Sequence, residues 1–144
     1  FVIDEYMIYD GKIHGASAVL LICSLLDEDT IRKYIEICDI LGMSALVEAH
    51  DQEEIEKAIK SGSRIIGVNN RDLKTFTVDI GNSERLRKRV PDDILFVAES
   101  GIKSNVEIER LKKANVNGVL IGETFMKVEN KKQMLQQLKG EDDE

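Results

Sequence analysis

"ILFVAESGIKS", residues 94–104, begins as an unbroken apolar run and leaves it through an acid, a serine and a glycine. An apolar run this short, with no polar alternation, reads as a strand buried on both faces. Its exit through Glu99, Ser100 and Gly101 needs a separate reason, because a strand built for a core does not itself call for them. Ser104 with Glu107 fits a capping box, in which the serine side chain accepts a backbone N–H one turn on. A helix therefore starts directly after the polar exit.

The same unit recurs along the chain. Apolar runs stand at residues 1–3, 18–23, 45–49, 65–68, 94–98 and 118–121. Between them lie helical spacings: Ile31, Tyr34, Ile35 and Cys38 recur at i, i+3, i+4 and i+7, with Glu28, Arg32, Lys33 and Glu36 on the remaining surface. Asp51 with Glu54 makes a second capping box, Gly42 suits a helix C-cap, and Pro91 stops the helix that holds Leu86. Six strand-then-helix units imply a parallel sheet covered on both faces. An open doubly wound sheet uses five or six strands, and a (βα)8 barrel uses eight in about 200–250 residues. The count alone suits the open sheet. The exits argue otherwise, since Asp4, Ser24, Glu48, Asn69, Glu99 and Glu123 place a polar residue at the top of every strand. An open sheet concentrates its site at one switch point, whereas a barrel gathers all its strand ends around one mouth. The expectation is therefore α/β, a partial (βα)8 TIM barrel over residues 1–139, with 140–144 as an acidic, disordered tail.

The chain has 144 residues, 42% of them hydrophobic, which suits one domain with one core. With no Trp and few other aromatics, that core is aliphatic. A net charge of −7 argues against non-specific nucleic-acid binding. The cluster Arg85, Arg87, Lys88, Arg89 reads as a solvated helix face. Cys23 and Cys38 lack CxxC spacing and read as buried free thiols of a reducing compartment. No apolar stretch approaches the roughly 18 residues of a membrane span, and no basic-then-apolar leader is present, so a soluble cytoplasmic protein is expected. The first residue, Phe1, stands inside an apolar run and is not a Met. His14 and His50 form no metal-binding pattern, and neither GxSxG nor GxGxxG occurs.

Carboxylates, amides and small residues at strand exits remain. Glu48 ends "SALVEAH", residues 44–50, on the same side of its strand as Leu46. Partial desolvation there would raise its pKa towards a general acid/base value. "IGVNNRDL", residues 66–73, offers two amides, a guanidinium and an acid to a polyhydroxylated or carboxylated ligand, although a turn would use similar letters. Ser100 and Gly101 after one strand, and Gly122 and Glu123 in "VLIGETF", residues 119–125, suit a phosphate site built on backbone N–H groups. Glu123 fits such a site if its carboxylate faces outward.

Together "FVIDEYMIYD", "AVLLI", "LGMSALVEAH", "IIGVNNRDLKTFTVD", "VAESGI" and "GVLIGETFM" resemble indole-3-glycerol phosphate synthase, the tryptophan-pathway (βα)8 barrel, in order and spacing from Phe1 to about Met126. The pair "VNNRDL" and "ESGI", with "LVE" upstream, is its most specific part. The resemblance implies a lyase of the carboxy-lyase type that converts 1-(o-carboxyphenylamino)-1-deoxyribulose 5-phosphate to indole-3-glycerol phosphate, with loss of CO2 and water and without a cofactor. It implies that Glu48 assists proton transfer and stabilises cationic intermediates. Asn69 would orient Glu48 and bind the ribulose hydroxyls, Arg71 would position the substrate, and Glu99 would be a second carboxylate of the active site. Ser100, Gly101, Gly122 and Glu123 match the phosphate cradle, and Phe1, Leu20, Ile22 and Leu73 match the apolar pocket for the aromatic ring.

The departure lies at the front. The family's first-strand glutamate and lysine, and a lysine just before the position of Phe1, are not in these 144 residues. In family terms the chain is strands three to eight, the C-terminal three quarters. Open barrel edges then invite self-association, and a site short of its proton donor leaves the chain alone inactive. The alternatives are another sugar-phosphate-binding TIM-barrel enzyme, or a non-catalytic open-sheet binding module whose partner supplies the missing strands.

Overall fold

A computed structural model describes residues 1–72 and 74–141; Leu73 and residues 142–144, most of the expected acidic tail, lie outside the described residues. Five of the six apolar runs pair as strands: β1 (Ala18–Ile22), β2 (Ser44–Ala49), β3 (Ile65–Asn69), β4 (Leu95–Glu99) and β5 (Gly118–Leu120). Every pairing is parallel and the order is β1-β2-β3-β4-β5. Strands that follow one another in sequence are thus neighbours in space. Right-handed crossovers in constant order deliver every helix to the same face, whereas a doubly wound sheet must reverse its order to fill both. The topology is that of a barrel wall.

Residue alternation follows from this. Leu21, Val47, Ile66, Val68 and Phe96 lie under the helices and cluster with Ile31, Ile35, Cys38, Ile55, Ala58 and Leu86. On the opposite parity Leu46 and Val97 are only partly buried, and Leu95 and Leu120 are about half exposed, at 51% and 50%. The expectation of strands buried on both faces is corrected here, because one set of crossovers covers one face.

The run at residues 1–3 is also corrected, since it joins no ladder and leaves Phe1 and Ile3 exposed. Three residues with no strand beside them make too few backbone bonds to hold an edge. Asp4, expected at a strand exit, caps α1 (Glu5–Ile13) by accepting from the Tyr6 N–H at 2.8 Å. Asp27 and Asp51 cap α2 (Glu28–Ile40) and α3 (Gln52–Lys60) in the same way. Glu54 reaches back one residue beyond the cap, accepting from the His50 N–H at 2.8 Å. Ser104 and Glu107 close the full capping box of α5 (Asn105–Lys113). The helices α4 (Gly81–Arg87), α6 (Glu123–Met126) and α7 (Lys131–Lys139) complete the layer, and Gly140 in the left-handed conformation ends α7.

In the basic cluster Arg85, Lys88 and Arg89 are exposed, but Arg87 is 4% exposed and packs over the Phe96 ring, 5.8 Å from its centroid. Its guanidinium donates to the carbonyls of Asn115 at 2.8 Å and Val90 at 2.6 Å, and to Asp92 at 2.9 Å. It ties the end of α4 to the turns that precede β4 and β5, at the sheet end opposite the polar exits. Removing it strands the buried Val90 carbonyl and unpacks the Phe96 ring, so Arg87→Met should lower the urea unfolding free energy by about 2–4 kcal/mol, against roughly 0.5 kcal/mol or less for Arg89→Met. Equal, small losses in both variants would show that Arg87 is an ordinary surface cation.

Candidate active site

The sheet register sets Ile22 opposite Glu48, Glu48 opposite Gly67, Gly67 opposite Val97, and Asn69 opposite Glu99. These positions share a parity and point away from the helices. Glu48, Asn69 and Glu99 therefore meet at the C-terminal ends of three adjacent strands, and all three are buried. The Asn69 amide donates to Glu48 Oε1 at 3.3 Å, while its oxygen accepts from the Arg71 N–H at 2.9 Å. That second bond fixes which end of the amide faces the carboxylate.

Gly67 makes the arrangement possible. A Cβ at this position would lie 1.9 Å from Glu99 Oε1, so the Glu99 carboxyl occupies space that any other residue would fill. The same oxygen is buried without a hydrogen-bond partner. Burial, reinforced by the charge and hydrogen bonding of Glu48, pushes Glu99 up to about 8. At neutral pH this carboxyl holds its proton. The buried Glu99 oxygen with no donor is a feature that the sequence does not announce.

Beside Glu99 the chain turns through two left-handed residues, Ser100 at φ 66° and Gly101 at φ 80°. Glycine is required at the second, where a Cβ would sit 2.2 Å from Val78 Cγ1. The turn opens on a cleft of about 670 Å³ lined by Arg71, Glu99, Ser100, Gly101, Gly122 and Glu123, among others. Arg71 donates to Glu123, whose other oxygen accepts from Lys127 at 2.5 Å. The Lys127 and then the Arg71 contacts hold the Glu123 carboxyl below its ordinary range. Its carboxylate thus faces Arg71 across the cleft and not simply outward. At Gly122 the backbone is right-handed and a Cβ would meet nothing within 4 Å, so neither conformation nor space demands glycine.

A second cleft, about 240 Å³, lies on the other side of Glu48 and Asn69 and includes Ile22, Ser24, His50 and Lys74. Of the residues expected around an aromatic ring, Ile22 lines it, while Leu20 lies further down the same face and is partly buried. Phe1 lines neither cleft and is 81% exposed, and Leu73 lies outside the described residues. Sequence reasoning missed Gly67, although a glycine inside an apolar strand is itself a sign of close approach. It also missed His50 and Lys74, which carry no pattern. Among the described residues no three His, Cys, Asp or Glu side chains cluster as metal ligands, and no helix is long and apolar enough to cross a membrane.

Residues 1–138 match the model of the family described as indole-3-glycerol phosphate synthase. Two similar relatives carry that same name: one from Lachnoclostridium phytofermentans, 55% identical over 96% of this chain and 51% of its own, and one from Ruminiclostridium cellulolyticum, 58% identical over 88% and 49%. The chain spans about half the length of the curated relatives it matches, so the expected three quarters is corrected: a share of strands is not a share of length. Thiamine phosphate pyrophosphorylase from Pyrococcus furiosus superposes with a TM-score of 0.73 over 92% of this chain and 62% of its own, at 19% identity, a likeness of fold alone.

The Glu99 titration makes stability depend on pH. The unfolded carboxyl titrates near 4.5 and the folded one at about 8, so the folded state binds the extra proton between those values. Stability from this group is complete below the lower value and is lost as pH rises through the upper one. Glu99→Gln keeps its hydrogens at every pH, so urea unfolding at about pH 5 and about pH 8 should show a smaller loss for the variant than for the wild type. An equal loss in the two chains would remove the assignment.

Proposed function

The chain belongs to the indole-3-glycerol phosphate synthase family, and we propose that the whole protein converts 1-(o-carboxyphenylamino)-1-deoxyribulose 5-phosphate to indole-3-glycerol phosphate, releasing CO2 and water. The observation that carries this reading is the match of residues 1–138 to that one family. The buried Glu48, Asn69 and Glu99 beside a large cleft support it chemically. Ring closure, decarboxylation and dehydration need a proton delivered to the ketose oxygen, a cationic intermediate stabilised, and a proton taken from the closing ring. Glu99, protonated at neutral pH, is suited to give a proton. Glu48, steered by the Asn69 amide, is suited to stabilise the cation and accept one.

The phosphate is proposed to bind at Ser100, Gly101, Gly122 and Glu123 through backbone N–H groups. Arg71 and Lys103 supply positive charge to the same cleft. The ring lies beyond Glu48, against Ile22 and Leu20, with Phe1 and Leu73 assigned to that pocket by resemblance alone. Residues 1–139 are read as the barrel portion, working without a cofactor in the cytoplasm, a setting that the two buried free thiols suit. A sheet with both edges unpaired among the described residues, and a half-exposed apolar face, favours association of the isolated chain with itself.

Fluorescence of the indole product tests the proposal. A protein extended at its N-terminus by the family's first-strand glutamate and lysine should form product, and this chain alone should be slower by at least about 10²–10⁴-fold, the worth of a positioned general acid. Sedimentation of the same samples should show the short chain associating. Full activity in the short chain, or none in the extended one, would overturn the reading.

A further inference from the structure

Asn70 follows Asn69 but turns the other way. It is 2% exposed and absent from the lining of both clefts, so no ligand touches it. Its backbone N–H continues the ladder to the Glu99 carbonyl at 2.8 Å, and its own carbonyl accepts from the Asp79 N–H at 2.9 Å, closing the loop of residues 70–79. Both polar atoms of its side chain are engaged. Oδ1 accepts from the Ser83 hydroxyl at 2.7 Å and the Ser83 N–H at 3.1 Å, so Nδ2 must face the other way. There it donates to the Ser100 carbonyl at 3.2 Å.

That carbonyl is half of the peptide unit joining the two left-handed residues. In a trans peptide the C=O and N–H point in opposite directions, and the described chain has no cis bond. An amide holding the Ser100 carbonyl from inside the protein therefore turns the Gly101 N–H outward, towards the cleft. Among the described residues no backbone carbonyl accepts from that N–H. The following turn is pinned as well, by the Thr124 hydroxyl donating to the Ile102 carbonyl at 2.5 Å. A left-handed serine is unfavourable by itself and persists only where its surroundings hold it.

We infer that Asn70, anchored by Ser83, is a positioning residue for phosphate recognition: it holds the Ser100–Gly101 peptide with its N–H presented to the anion. The inference rests on the reading that the phosphate binds at this turn. Asn70→Asp keeps the acceptor for Ser83 and loses the donor to Ser100, placing a carboxylate oxygen against a carbonyl. The peptide is then free to turn its N–H away.

The test uses the N-terminally extended protein, with inorganic phosphate as probe read by 31P NMR and the phosphorylated ketose as substrate. Asn70→Asp should raise the phosphate dissociation constant and KM roughly 10- to 100-fold, the worth of a hydrogen bond to a charged group, while kcat stays within about threefold. Ser83→Ala, which frees the amide but keeps it, should act in the same direction by about two- to fivefold. A merely structural role would lower the unfolding midpoint and leave the phosphate affinity of the folded protein unchanged. If Asn70→Asp does not fold, Ser83→Ala decides, and unaltered affinity there overturns the inference. A wild type that does not bind phosphate removes the underlying reading; one that binds it, with folded variants matching it within about twofold, removes only the role of Asn70.

Discussion

The parallel register across β2, β3 and β4 is the constraint on which the site depends. It places Glu48 opposite Gly67 and Asn69 opposite Glu99, so three polar side chains converge from neighbouring strands without any long loop to aim them. Slipping one strand by one residue would turn its polar end under the helices, where Val47, Val68 and Ala98 are packed. That slip would bury a carboxylate among aliphatic groups, at a cost well above that of losing a few ladder bonds. The apolar face thus specifies the register, and the register specifies the site. Gly67 is the point at which the two meet, because it supplies the space in which the Glu99 carboxyl lies.

The strand order has a comparable effect on scale. Sequential crossovers leave one face of the sheet for helices and the other for the strand-end chemistry. Ile22, Glu48 and Asn69 then belong to one cleft, and Glu99, Ser100 and Gly101 to its larger neighbour. The row of buried polar groups forms the wall between them. A substrate with an anion at one end and a ring at the other suits two clefts that share such a wall. The same order leaves Leu95 and Leu120 half exposed, which is the cost of a barrel wall whose interior face is not packed by helices.

Much of this was legible in the sequence, and the failures have physical causes. Runs such as residues 65–68 are readable because a buried parallel strand needs unbroken apolar letters, and Asp51 and Ser104 because a helix start needs an acceptor there. Residues 1–3 carry the same letters without a neighbour to pair with, and pairing is not written in a three-residue run. Arg87 looks like Arg85 and Arg89 in sequence; its burial follows from the Asn115 and Val90 carbonyls, which only tertiary packing brings to it. The adjacent amides look like one polar exit in the sequence, yet strand alternation sends Asn69 to Glu48 and Asn70 to Ser83 and Ser100. Identical letters acquire separate tasks from parity alone.

The same parity explains why a buried, protonated acid can be tolerated in so small a sheet. Glu99 is 4% exposed and has an oxygen without a donor, a combination that would destabilise an ionised carboxylate severely. Keeping its proton avoids most of that cost, and the neighbouring Glu48 charge favours the protonated form further. Asn69 donates to Glu48, while among the described residues no donor reaches Glu99 Oε1. The two carboxyls thus stand in unequal surroundings, one receiving an amide donor and the other holding an oxygen that receives none. Were a donor to reach Glu99 Oε1, the ionised form would be stabilised and the carboxyl would fall back towards its ordinary range.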